Sequence, residues 1–153
     1  MGLFSNLKTL FGSPQQTTDA NNSGNPQATN QKKLVIVEDE RVLADALEIK
    51  FQHEGFQVSK ADNGQAGLAL IQQVKPDIVL ADLMMPVMDG KTMLRKMREV
   101  PDLKYTPVVV LTNAGELDNI RETKKYDDVS SFLIKSNINP EDVVKVVKDL
   151  LKM

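Results

Sequence analysis

The chain has 153 residues, 41% of them hydrophobic, enough for one domain of ordinary size with a buried core. Basic residues number 19 and acidic ones 21, a net charge of −2, so no whole-chain basic field recruits nucleic acid. Cysteine is absent and His53 is the only histidine, which excludes disulfides, thiolate metal sites, a cysteine nucleophile and multi-histidine centres.

No apolar run approaches membrane-spanning length. The N-terminus lacks the basic start, long apolar stretch and cleavage site of a secretory signal, so a cytoplasmic location is expected. Residues 1–11 place Leu3, Phe4, Leu7, Leu10 and Phe11 on one face of a helix, with Lys8 as the only charge. A helix this short is marginal in water. Its apolar face calls for a bilayer surface, a protein groove or the chain's own domain. The Met-Gly start suggests myristoylation, but Asn6 stands where that signal wants Ser or Thr. Residues 12–32, rich in Asn, Gln, Thr, Ser, Gly and Pro, read as a disordered linker. As a flexible coil it spans about 25 Å, enough to tether the rest of the chain to a membrane or a partner.

Regular structure is expected over residues 33–153. Leu34–Val37 is a short apolar strand ending at Glu38, Asp39 and Glu40. A helix over 41–54 carries Leu43, Ala46, Leu47 and Phe51 inward and stops at Gly55. Phe56 and Val58 alternate with polar residues, as on an edge strand. Asn63-Gly64 opens a second helix with Leu68, Ile71 and Val74, broken by Pro76. Ile78–Ala81 is a strand buried on both faces that ends abruptly at Asp82. Asp89 caps a third helix with Met93, Leu94 and Met97 inward. Val108–Leu111 is a buried strand ending at Thr112, followed by a short helix near 116–126 whose Lys124-Lys125 reads as a solvated face. Ser131–Ile134 is the fifth strand, ending at Lys135. Asn139-Pro140-Glu141 starts the last helix, with Val143, Val144, Val146, Val147, Leu150 and Leu151 inward.

Five strands alternating with five helices predict an α/β, doubly wound parallel sheet with right-handed crossovers. Parallel strands put Asp39 (with Glu38), Asp82, Thr112 and Lys135 on one edge of the sheet. In a 2-1-3-4-5 strand order the first and third strands are neighbours, and the switch point between them brings Asp39 within reach of Asp82. Acids without Cys or spare His favour a hard cation, and Mg²⁺ fits because it keeps waters and takes few carboxylates. Without a cation, such carboxylates would retain a proton. A carboxylate nucleophile, a divalent ion, a cationic lysine and a hydroxyl donor match phosphoryl transfer to Asp82.

The set Glu38-Asp39, Asp82 with Pro86 four residues on, Met88-Asp89-Gly90, Thr112 and Lys135 resembles the CheY-like receiver domain of response regulators in two-component systems. The resemblance spans residues 33–153. It implies a flavodoxin-like fold and phosphorylation of Asp82 by a sensor histidine kinase or phosphotransfer protein. It further implies Mg²⁺ held by Glu38, Asp39, Asp82 and the Met84 main-chain carbonyl, with Thr112 and Lys135 on the phosphoryl oxygens. Phe132, three residues before Lys135, matches the family's aromatic switch position. Such a domain is not an enzyme in the usual sense, although it can dephosphorylate itself. It signals by protein–protein contact to a target the sequence does not name, and nothing in the chain contacts nucleic acid directly.

Three positions depart from the family pattern: Glu38 replaces the usual Asp, Asn113 replaces a small residue, and Ser136 follows Lys135 where Pro is common. A non-proline cis bond costs about 2.5–4 kcal/mol, which favours a trans loop here and leaves the placement of Lys135 to be seen. The alternative is a receiver-like scaffold that binds partners without phosphorylation. A small phosphohydrolase with an Asp nucleophile is disfavoured, because Met84 stands where a second acid would be needed. His53 reads as a surface residue, and the methionines at 84, 85, 88, 93 and 97 as loop and core filling.

Overall fold

The computed structural model describes residues 30–122 and 129–153. The amphipathic segment 1–11, all but the last residues of the linker 12–32, and Lys124-Lys125 lie outside the described residues. The strands are β1 (Lys33–Val37), β2 (Gln57–Ala61), β3 (Ile78–Asp82), β4 (Val108–Thr112) and β5 (Ser131–Ile134). The α-helices are α1 (Arg41–His53), α2 (Gly64–Val74), α3 (Gly90–Glu99), α4 (Ala114–Glu122) and α5 (Pro140–Leu150). Short 3-10 turns at Pro101–Leu103 and Lys135–Asn137 complete the order. All strand pairs are parallel and the sheet order is β2-β1-β3-β4-β5, the expected flavodoxin-like arrangement.

Alternation along each central strand feeds two cores. Leu34 and Ile36, Ile78 and Leu80, and Val109 and Leu111 meet Leu47 and Phe51 of α1 and Val143, Val144 and Val147 of α5. Val35 and Val37, Val79 and Ala81, and Val108 and Val110 meet Ile71 of α2 and Met93, Leu94 and Met97 of α3. Burial on both faces is why these strands read as unbroken apolar runs. β2 and β5 are the sheet edges, and both are only partly buried.

Caps set the helix starts. Asn63 accepts the Ala66 N–H at 2.8 Å, Asp89 the Thr92 N–H at 2.7 Å and Asn139 the Glu141 N–H at 3.1 Å. Gly55 at φ 87° follows α1 in the left-handed region that the turn into β2 needs. One expectation on α1 is corrected: Ala44, not Ala46, is buried beside Leu47 and Phe51, and Leu43 is half-buried. The inward face is centred on the 44–47–51 row, so Ala46 turns outward with the exposed Val42 and Ile49. α4 starts at Ala114, two residues earlier than the sequence suggests.

Two glycines let the β3–α3 loop press against the strand tips. The Gly64 N–H donates to the Met88 carbonyl at 3.0 Å and the Gly90 N–H to the Leu83 carbonyl at 2.9 Å. A Cβ on Gly90 would stand 2.1 Å from the Asp82 carbonyl oxygen, and one on Gly64 would stand 2.2 Å from that of Met88. Both clashes are with backbone, which has no rotamer to escape into. Gly90→Ala is therefore expected to push the start of α3 off β3 and to cost about 1–3 kcal/mol, the range for overpacking. Urea unfolding followed by circular dichroism measures this.

Candidate functional site

Register builds the site. Val37 pairs with Ala81, so the next residues, Glu38 and Asp82, stand side by side at the tips of β1 and β3. Asp82 pairs with Leu111, which puts Thr112 one step further along β4. Thr112 in turn pairs with Ile134, after which the chain delivers Lys135. Glu38, Asp82 and Thr112 are the buried polar residues of the described chain, with 2%, 3% and 0% exposure. Asp39 is exposed, yet its carboxylate, that of Glu38 and that of Asp82 each offer an oxygen within 4.8 Å of the others.

Lys135 ties this acid cluster together. Its Nζ donates to Asp82 Oδ2 at 2.8 Å and to Glu38 Oε1 at 2.9 Å. The bond from Lys135 to Ser136 is trans, as are all peptide bonds among the described residues, and Lys135 still reaches both acids. Glu38 Oε1 also accepts the Glu40 N–H at 2.9 Å, and Asp82 Oδ1 accepts the Met84 N–H at 3.0 Å. Glu38 Oε2 lies 2.8 Å from Lys135 Nζ, so the ammonium sits across both oxygens of this buried carboxylate. One ammonium does not balance three carboxylates gathered within 4.8 Å, and the remaining negative charge fits a further cation.

The protonation of the cluster follows from burial. Desolvation pushes Glu38 up to about 7, with the Asp82 charge adding to the rise, while the bonds from Lys135 and the Glu40 N–H oppose it. Burial works against the Lys135 charge, but its bonds to Asp82 and Glu38 outweigh that and hold its pKa above the ordinary lysine value. Burial thus favours the protonated form of Glu38 well above the ordinary carboxylate range.

Thr112 is at the strand tip, but its hydroxyl is turned aside. It lies 3.1 Å from Glu116 Oε2, to which it donates, and 3.4 Å from the Asn113 carbonyl oxygen. Sequence reasoning missed Glu116. Its signal was the Asn113-x-x-Glu116 spacing of a capping box at the start of α4. Phe132 is half-buried on β5, opposite Val110, and packs against the second core. Met84 is 58% exposed beside the acids, whereas Met93 and Met97 are fully buried as expected of core filling. Asn113, Ser136 and His53 are exposed. An open groove runs from Glu38 and Asp39 past Lys60 on β2 to Leu70 and Gln73 on α2.

A five-stranded parallel sheet in this order, with acids on neighbouring tips and a lysine across them, defines the class of CheY-like receivers. The chain belongs to the response regulator receiver domain family, whose pattern matches residues 34–148. It is 32% identical to the transcriptional regulatory protein ResD of Bacillus subtilis over 81% of this chain and 50% of ResD. It is 33% identical to sporulation initiation phosphotransferase F of Bacillus subtilis over 74% of this chain and 91% of that protein. The chain thus spans about half the length of ResD but nearly all of the smaller relative. Among solved structures, a putative response regulator from Chloroflexus aurantiacus matches with a TM-score of 0.71 and 27% identity, over 80% of this chain and 99% of that one. The chemotaxis response regulator CheY4 of Vibrio cholerae matches with a TM-score of 0.71 and 27% identity, over 78% and 98%. The chain is thus a receiver domain of the two-component type, a signalling module of a class that binds Mg²⁺ at an acidic pocket and meets histidine kinases or phosphotransfer proteins. No helix among the described residues is long and apolar enough to cross a membrane.

The raised Glu38 pKa has a thermodynamic signature. Between its ordinary value of 4.5 and about 7 the folded state holds a proton that the unfolded state has lost. This contribution to stability is complete below 4.5 and lost as pH rises through about 7. Glu38→Gln, which mimics the protonated acid, is expected to lose that part of the pH dependence. Urea unfolding of both proteins in metal-free buffer at acidic and alkaline pH tests this, and identical pH profiles would contradict it.

Proposed function

We propose that Asp82 is the phosphoacceptor of this receiver. The observation that carries the reading is the Lys135 ammonium bridging Asp82 and Glu38, in a cluster to which Asp39 brings a third carboxylate within 4.8 Å. Glu38, Asp39, Asp82 and the Met84 main-chain carbonyl would hold Mg²⁺. When bound, the ion neutralises carboxylate charge and stabilises the charge on the transferring phosphoryl oxygens. The phosphoryl donor is a phosphohistidine of a sensor kinase or a phosphotransfer protein. One Asp82 oxygen forms the new O–P bond as the donor's N–P bond breaks, and the departing imidazole keeps the electron pair and takes a proton from solvent. Lys135 stays beside the acceptor carboxylate throughout and offsets the charge that arrives.

The acyl phosphate adds about −1.5 to −2 charge at the tip of β3. Thr112, one step along the neighbouring strand, donates to it, the loop after β4 follows, and Phe132 turns into the space left behind. The surface of α4, β5 and α5 then differs between the two states and recruits a target protein. Nearly complete switching needs the phosphoryl group to favour the active state by roughly 5 kcal/mol. Residues 1–11 serve as a contact segment for a membrane or partner, with 12–32 as its tether and 33–153 as the receiver.

Incubation with acetyl phosphate and Mg²⁺ is expected to add one phosphoryl group, mapped by mass spectrometry to Asp82 and abolished in Asp82→Asn. Undiminished labelling of that variant would defeat the assignment. Unmodified wild-type protein would favour the phosphorylation-independent scaffold instead. Removal of residues 1–32 is expected to leave labelling intact but to change where the protein collects in the cell, and an unchanged distribution would reject the tether.

A further inference from the structure

We propose that Glu116 is a positioning residue that holds the receiver off by occupying the Thr112 hydroxyl. This rests on the phosphoacceptor reading of Asp82 and adds to it the group that phosphorylation must displace. A threonine hydroxyl carries a single proton, so it donates to one acceptor at a time. In this structure the nearer acceptor is the carboxylate of Glu116, 3.1 Å away against 3.4 Å for the Asn113 carbonyl, while Thr112 itself is fully buried. A hydroxyl that donates to Glu116 cannot donate to a phosphoryl oxygen on Asp82. The bond to a charged acceptor is the stronger kind, so releasing it opposes activation.

The surroundings of Glu116 suit a latch that opens. Glu116 is the third residue of α4, with Asn113 just ahead of the helix. Its own N–H donates to the Asn113 carbonyl at 3.1 Å, a tight single turn at the helix start. That is the spacing at which an acid reaches back to the main-chain N–H of the capping residue. Once Thr112 turns to the phosphoryl group, the freed carboxylate has this donor close by and remains satisfied at the positive end of the helix. The same turn contains Gly115, which meets no atom within 4 Å of its missing Cβ and weakens the helix locally. Both arrangements of Glu116 are therefore accessible to a short, loosely held first turn.

Beryllofluoride, a non-hydrolysing stand-in for the phosphoryl group, tests the latch in the full chain with Mg²⁺ by calorimetry or by ¹H–¹⁵N chemical shifts. Glu116→Ala is expected to bind it about ten-fold tighter than the wild type, the effect of losing one charge-assisted bond. Glu116→Gln keeps an acceptor for the hydroxyl through a weaker, neutral bond and is expected to bind between the wild type and Glu116→Ala. In a Thr112→Ala background, Glu116→Ala is expected to change nothing. Unchanged or weaker binding by Glu116→Ala would overturn the proposal. So would a Glu116→Gln variant that binds as tightly as Glu116→Ala, since charge rather than the bond would then be the cause. An effect that persists without the Thr112 hydroxyl would overturn it as well. Absence of beryllofluoride binding in the wild type and all variants is a different failure: it removes the phosphoacceptor reading, and the latch with it.

Discussion

The ammonium group of Lys135 between Asp82 and Glu38 is the contact on which the rest of the structure depends. Gathering three carboxylates within 4.8 Å at the tips of buried strands is electrostatically expensive. One lysine offsets part of that charge and leaves the remainder as a field that attracts a cation or retains a proton. Burial raises the Glu38 pKa first, and the neighbouring Asp82 charge adds to the rise. Complete neutralisation by protein groups would give a quieter core and no site. Partial neutralisation leaves a site in which an incoming ion or phosphoryl group changes the balance.

The scaffold around that contact is rigid where it must hold the acids. Four apolar residues in each of β1 and β3 are completely shielded from solvent, and their register alone brings Glu38 beside Asp82. The loop after Asp82 is pinned at both ends, by Gly64 on Met88 and by Gly90 on Leu83. Between these pins Val87 sits at φ 68°, a region that a β-branched residue enters only under strain, and its side chain is 77% exposed. Strain of this kind persists where neighbouring contacts over-determine the backbone. Here they keep the backbone beside the Asp82 carboxylate in a single path.

The other side of the sheet is less deeply buried. β5 is a partly buried edge strand, Phe132 on it is half-buried, and α4 begins with a glycine-containing turn. The Thr112 hydroxyl lies at the junction of the two regimes, on a fully buried strand but bonded to the first turn of α4. In the proposed switch, a change of charge at Asp82 reaches α4 and β5 through this junction and through Phe132, which packs against the second core. Exposed ion pairs such as Lys75–Asp102 are far from this route, and pairs of that kind contribute little to stability.

Chain-local pattern was sufficient for the order and type of the elements. Strands shielded on both faces must be apolar throughout, helix starts need capping side chains, and Pro76 and Gly55 end what precedes them. The same logic placed Asp82, Asp39, Thr112 and Lys135 on one edge, because parallel strands share their direction. Pattern was less informative on α1, where Ala44 and Ala46 are the same residue type and only packing against the sheet decides which turns inward. It could not settle whether Lys135 reaches the acids without a proline after it, since that depends on the path of the turn at Lys135–Asn137. Nor could it show the partner of the Thr112 hydroxyl, because the direction of a single-bond rotor is set by whichever acceptor folding brings near. By itself the sequence determined which groups arrive at the sheet edge. The tertiary structure decided which of them touch, because hydrogen bonds and charge depend on distances of a few ångströms that spacing along a chain does not encode.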